Sequence, residues 1–346
     1  MTTSSPVAAR LRAHRLTAPA STLAEAAAHM LAVQSQDLTA GRWALASRTR
    51  GEPTLGDVDR AFDRGALVRA WTQRGTLHTV PARDLRWILS VTADRQRQQA
   101  AGRRRDLGID DAMLEVATAA ILPRLRDGGL TRAEMFAQFE AAGIDPTGQR
   151  GIHLLSELTL RGLLCQGPVV ARDGITREQR FVLVEEHIRE HADPADPLAE
   201  LFVRYIDGHG PATVADFAWW AGLPLGLSRQ ARERAEARVD EIDEGVFAAA
   251  SAPRRSGMTS VFALPAFDEY YISYADRTTV CAPEHLAAVG PGRNGMVRAT
   301  IVADGRVVGC WTHAAASLGA APEMFDADVD EGAVQEALAR FSRFLG

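Results

Sequence analysis

Residues 110–185 set the tightest limit on what this chain can become. A helix-forming run over roughly 112–126 is followed by "LTRAEMFAQFEAAG", where Thr131 and Glu134 have capping-box spacing and Gly143 stands where a helix C-cap belongs. "TGQRGIHLLSELTLRGLL" carries apolar residues at amphipathic-helix spacing, and "LCQGPVV" and "RFVLV" read as two strands around a polar loop. Three helices and then a hairpin is the order of a winged-helix unit, a relative of helix-turn-helix. A similar plan opens at "GPATVADFAWWAGL", with Thr213 capping a helix and Gly222 ending it. The N-terminal segment fits the same plan less cleanly, so the chain reads as a tandem array.

The fold class this predicts is α+β, mainly α: three helix-turn-helix-type (winged-helix) units at residues 1–108, 109–192 and 193–257, then a β-rich C-terminal region with a closing helix at 258–346. In the first unit, Thr22 and Glu25 form a capping box for a helix over 22–33, and a second helix covers 55–64. Strand alternation runs over 66–80 and breaks at Arg74-Gly75; Pro81 then opens a helix that ends in "GRRRD". "IREHADPADPLAE", with Pro194 and Pro197, reads as a linker. In the last region Asp304-Gly305 is a hairpin turn between two strands, and "EGAVQEALARFSRFL" closes the chain as an amphipathic helix.

Composition narrows the function. The chain has 346 residues, 46% of them apolar, yet no run approaches the roughly 18 apolar residues of a membrane helix. "MTTSSPVAARLRAHRL" lacks the apolar core of a signal peptide, and Cys165, Cys281 and Cys310 are too few and too scattered for a disulfide framework or a zinc site. A cytoplasmic protein without membrane contact is expected. There is no lysine, so all 39 basic residues are arginine; no side-chain amine can form a Schiff base and no P-loop lysine exists. Net charge is −5, but residues 1–105 carry +9, residues 106–180 carry −3 and residues 181–346 carry −11. A basic N-terminal third on an acidic remainder suits a one-sided phosphate-binding surface.

Three motifs match patterns whose context is wrong. "HIREH", His187 to His191, has a zinc-peptidase spacing but polar flanks and a proline soon after. "GPGRNG" precedes a strand where a dinucleotide site needs a helix, and "DADVDEG" lacks the closing Glu of a calcium loop. No metal and no cofactor are expected.

"LAVQSQDL" raises a different question, because Gln34 and Gln36 stand two apart just past an alanine-rich helix. Side chains at that spacing diverge on a helix and share a side on extended backbone. Asp37, Thr39 and Gly41 favour a helix end near Val33, which would let the two amides cooperate. A polar helix end with two exposed amides fits the spacing equally.

Over about residues 6–345 the chain resembles the AlkZ-like family of winged-helix DNA glycosylases. The resemblance is carried by "AVQSQD", "WTQRGTLHTVPARD", "GPATVADFAWWAGL", "LPAFDEYYISYADR" and "TIVADGRVVGCW", in the family's order. It implies tandem winged-helix units around a concave DNA-binding face and a catalytic Gln-x-Gln motif, which falls here on Gln34-Ser35-Gln36. The middle residue is often apolar in the branch that confers self-resistance; Ser35 departs from that and leaves the particular substrate open. The implied activity is removal of alkylated purines, notably bulky N7-alkylguanine adducts and crosslinks, in DNA repair and in self-resistance to a DNA-alkylating natural product.

Two amides suffice for that chemistry. An N7-alkylated guanine is already cationic and leaves without a general acid. A Gln carbonyl can orient a water and face the positive charge that develops on the sugar. Gln36 is assigned the water and Gln34 its support, with adjacent Asp37 as the other candidate for an electrostatic role. Without lysine the expected enzyme is monofunctional. Its partner is double-stranded DNA carrying an alkylated purine, bound by a monomer in the cytoplasm at the nucleoid. The candidate DNA contacts are Arg74 and His78 in "QRGTLH", the basic end Arg103, Arg104 and Arg105, and Arg306 at the hairpin. A winged-helix transcriptional regulator without enzymatic activity is the alternative, and a sensor of the alkylating drug a third possibility.

Overall fold

The structure is a computed structural model that describes residues 5–170, 178–250, 261–293, 295–313, 320–326 and 328–346. Two units divide it: Met1–Val58 together with Leu198–Gly346, and Asp59–Pro197. Both mix helices with antiparallel strand pairs.

The second unit holds the helix-rich plan read from residues 110–185. Helices Asp111–Leu125, Arg132–Ala141 and Arg150–Leu160 precede strands Leu164–Val169 and Gln179–Leu183. Local chemistry sets their ends. Asp110 caps the first helix by accepting from the Met113 N–H at 2.8 Å. Thr131 and Glu134 exchange both capping-box hydrogen bonds, and Gly143 takes the positive φ, 81°, that the chain needs there. The polar loop between the two strands, residues 171–177, lies outside the described residues.

Earlier in this unit, strands Leu67–Gln73 and Thr76–Pro81 form a hairpin whose turn is Arg74-Gly75, both at positive φ (53° and 69°). Such turns match the right-handed twist of the flanking strands. Leu67–Gln73 also pairs with Leu164–Val169 through Arg69 and Gln166, and the two side chains hydrogen-bond at 2.7 Å. Pro81 does not open a helix as expected. It stays in the strand opposite Leu67 with ψ 131°, a 3-10 turn follows at Ala82–Asp84, and the long helix runs Leu85–Asp106.

In the first unit, an N-terminal helix, Pro6–Ala13, packs its Leu11 into a core with Tyr270, Tyr271, Val302 and Val307. Four strands in the order Ala320–Met324, Arg306–His313, Ala299–Ala303, Val261–Leu264 make the C-terminal sheet. The closing helix Glu331–Leu345 joins it: Phe341 meets Trp311 and Trp43 edge-on at 4.8 and 5.4 Å between ring centres. Helices Pro197–His209 and Val214–Ala221 lie between these ends in sequence; Thr213 caps the second by a capping box with Asp216, and Gly222 ends it at φ 66°. Thus early and late sequence build one body, in which the Gln34–Gln36 segment sits.

Candidate active site

The helix before the glutamines is shorter than its alanine-rich sequence suggests. Thr22 caps it by accepting from the Glu25 N–H, yet it spans only Leu23–Met30. Leu31 then takes φ 61°, a left-handed conformation costly for a branched residue, and the backbone leaves the helix. Val33–Gln34 is extended, and Asp37 begins the next helix, Leu38–Ala46. The Asp37 carboxylate accepts from the N–H groups of Thr39 at 2.8 Å and Ala40 at 3.1 Å. Capping explains Asp37, since the helix needs an acceptor there.

Ser35 is the pivot of this loop. It is fully buried, and its hydroxyl donates to the Val33 carbonyl at 2.9 Å. It lies so close to Gly41 that a Cβ at position 41 would sit 2.6 Å from Ser35 Cβ. Gln34 is 7% exposed and Gln36 is open to solvent.

What holds the loop comes from far along the chain. The Gln34 N–H donates to Glu269 Oε1 at 2.7 Å, across 235 residues. Glu269 is completely buried on a four-residue helix, Glu269–Ile272. Its other oxygen accepts from Trp220 Nε1 at 3.1 Å and from the Ser273 hydroxyl, and His209 Nε2 stands 3.6 Å from it. The preceding residue, Asp268, caps the same short helix and takes a bidentate pair from Arg48, at 2.7 and 2.9 Å, with both side chains buried. Trp43 donates to the Ala263 carbonyl at 2.7 Å. The loop and the helix after it are therefore fastened at both ends by two adjacent acids. Sequence reading missed Glu269 and Asp268; the available signal was a pair of acids inside an aromatic run, "AFDEYY".

Beneath Glu269 lies a buried aromatic and imidazole cluster. His209 stacks on Tyr205 at 4.8 Å and gives its Nδ1 hydrogen to the Tyr205 carbonyl at 3.0 Å. Tyr274 donates to the His209 carbonyl at 2.6 Å and accepts from His14 Nε2 at 2.8 Å. Burial first, then nearby His209, Arg48 and Arg10, hold the His14 pKa well below the ordinary histidine value. His29 is lowered to about 4, by burial and then by Arg15.

The other candidate residues are dispersed. Arg74 sits on its hairpin turn with its guanidinium 3.3 Å from His78 Nε2, while fully buried His78 directs Nδ1 to the Thr76 carbonyl at 3.1 Å. Gln96 holds that turn through the Gly75 N–H at 2.5 Å. In the same unit Arg104 is engaged with the buried carboxylate of Glu157 at 2.7 Å, alongside Arg97 and Arg161. Arg103 donates to Gln149 at 3.0 Å, and Arg105 is exposed. Arg306 belongs to the first unit. Its side chain is exposed beside a turn whose Gly305 is seated on the N-terminal helix, where an added Cβ would lie 2.2 Å from Val7 Cγ1.

The short helix Val184–His187 stops before Ile188, so His187 and His191 do not share a helical face. Among the described residues no group of three or more His, Cys, Asp or Glu could hold a metal. Asn294 of "GPGRNG" and Ala327 of "DADVDEG" lie outside the described residues. The three cysteines are buried, and burial pushes the Cys165 thiol up to about 12 and Cys281 to about 11. No described helix is long and apolar enough to cross a membrane.

The family model described as "DNA glycosylase AlkZ-like" matches residues 27–344. A curated relative, the interstrand DNA cross-link repair glycosylase of Streptomyces sahachiroi, is 25% identical over 305 residues, covering 81% of this chain and 79% of its own. The solved structure of Streptomyces sahachiroi DNA glycosylase AlkZ superimposes with a TM-score of 0.79 at 23% identity, over 100% of this chain and 98% of that one.

Proposed function

The chain belongs to the AlkZ-like DNA glycosylase family, and from that premise we propose that it is a monofunctional glycosylase that hydrolyses the N-glycosidic bond of N7-alkylguanine in duplex DNA. Its substrates include the interstrand crosslinks for which its relative is named. Gln36 orients the attacking water, and Gln34 supports that water and the sugar. The helix-helix-helix-hairpin order of residues 111–183 is read as one winged-helix unit of a tandem set that docks on the duplex, with Arg74, Arg103 and Arg105 among its phosphate contacts.

The observation that carries this reading is the loop itself. Two uncharged amides flank a buried pivot on a backbone pinned by Glu269 and Gly41, while the acid next in sequence, Asp37, is committed to a helix cap. A neutral, fixed dipole suits a leaving group that brings its own positive charge. It would serve an unmodified base poorly, which protects undamaged DNA. A glycosylase that forms a Schiff base needs an amine, and the chain has no lysine to offer one.

The test is incubation with duplex DNA bearing one N7-alkylguanine. Release of the free modified base is expected, with the strand left unbroken at an intact abasic site. Gln36→Ala is expected to lower the single-turnover rate by about 30- to 1,000-fold, roughly 2–4 kcal/mol of transition-state stabilisation. Duplex binding without base release would instead support a regulator.

A further inference from the structure

We propose that Glu269 is the positioning residue of this site, a buried carboxylate that sets the backbone from which Gln34 and Gln36 project. The inference rests on the glycosylase reading above and assigns a role to a residue that reading does not use.

Glu269 is completely buried and reaches no substrate, so it acts through another group. Its surroundings are built of donors. The Gln34 backbone N–H and the Trp220 indole N–H can only donate, and they approach opposite oxygens at 2.7 and 3.1 Å. The Ser273 hydroxyl adds a donor to the second oxygen. A carboxylate is acceptor-only at both oxygens and meets all of them; an amide of the same shape has one acceptor and must turn its NH2 toward a donor. Taking a carboxylate out of water is costly, and a well-packed apolar core has no need of one. This carboxylate joins the catalytic loop to the Val214–Ala221 helix and to its own Glu269–Ile272 helix.

The direction of the bond matters. It falls on the main chain of Gln34, so it fixes the backbone that carries the carboxamide. The N–H is fixed just after Leu31 has broken the helix at φ 61° and just before Ser35 turns onto Gly41. Without that anchor, the extended segment loses one of its fixed points beside Ser35. Displacement by an ångström in a site that must aim a water lowers the chemical step without lowering affinity for the duplex.

Three measurements on the full chain test this. Glu269→Gln is expected to lower the single-turnover rate of base release by 10–100-fold while Kd for lesion-bearing duplex changes less than 3-fold. Amide exchange followed by mass spectrometry is expected to accelerate in peptides covering residues 31–37, with the Arg150–Leu160 helix still protected. In a Gln36→Ala background, Glu269→Gln is expected to add less than 3-fold, because both act on one element. Should Glu269→Gln fail to fold, Glu269→Asp keeps the charge but shortens the reach by one methylene, and the same local exchange signature is expected. Unchanged exchange at 31–37, exchange rising throughout the chain, or full additivity with Gln36→Ala would each overturn the proposal. The exchange readout needs no catalysis, so a wild type that releases no base defeats the glycosylase reading and leaves this one standing or falling on exchange alone.

Discussion

At the scale of single residues, Gly41 exposes how closely the loop is fitted. In an exposed helix, Gly→Ala gains up to about 1 kcal/mol in helix propensity. Here the new methyl would lie 2.6 Å from Ser35 Cβ and 3.1 Å from Ser35 Cα, so loop backbone must move. Gly41→Ala is therefore expected to lower stability by about 1–3 kcal/mol, less any helix-propensity gain, while slowing base release about tenfold or more in the folded protein. Paired stability and single-turnover measurements separate the two effects. Fast release by Gly41→Ala would show that the loop tolerates displacement. In sequence, the i, i+2 spacing of the glutamines raises the question of their role but fits a polar helix end as well; the family resemblance, not the spacing, singles out the pair. Asp37 was ambiguous there, since a charge beside a reactive motif and a helix cap look the same until the N–H groups of Thr39 and Ala40 are placed.

At the scale of elements, the Arg48–Asp268 pair binds the end of the Leu38–Ala46 helix to the start of Glu269–Ile272, with both side chains out of water. Removing one partner of such a pair strands a buried charge. Arg48→Met is expected to cost about 3–5 kcal/mol in equilibrium unfolding, and an apolar replacement of both partners to recover part of that. A loss under 1 kcal/mol would mean that water reaches Asp268. Elements whose ends are written in neighbouring residues were legible: the Thr131–Glu134 and Thr213–Asp216 caps, the Arg74-Gly75 and Asp304-Gly305 turns, and the closing helix. Those set by distant partners were not. Leu31 ends its helix against strong alanine propensity, Pro81 is kept in a strand by Leu67 opposite, and the Pro6–Ala13 helix owes its place to a core made 250 residues later. Arg104 reads as one member of a basic run, yet Glu157, 53 residues on, engages it. Glu269 belongs with these, because no local pattern announces a partner 235 residues away.

At the scale of the whole molecule, both units carry groups that answer acid. In the first, His14 and His29 are held neutral by burial and positive neighbours, with folded pKa values below the ordinary 6.5 and, for His29, about 4. The unfolded chain then binds the extra protons. Stability is complete above pH 6.5 and falls toward pH 4, by up to about 1.4 kcal/mol per pH unit for each imidazole. In the second unit, burial opposes the charge of Glu157 but hydrogen bonds from Arg161 and Arg97 outweigh it, leaving its pKa below the usual 4.5. That contribution is kept until the pH drops below about 4.5, the ordinary carboxylate value, and is lost as the pH falls through the lower folded value. Urea midpoints at pH 7.5, 6 and 5 are expected to decline, with His153, His187 and His191 of the second unit, also lowered by burial, adding to the loss. His29→Gln is expected to flatten the decline; an equal slope in that variant would exclude the imidazole. The interior also bears on how the chain would withstand an alkylating reagent. A reagent electrophilic enough to modify guanine also attacks thiolates and free amines. With Cys165, Cys281 and Cys310 sealed from solvent and no lysine in the chain, such a reagent meets neither an accessible thiol nor a side-chain amine.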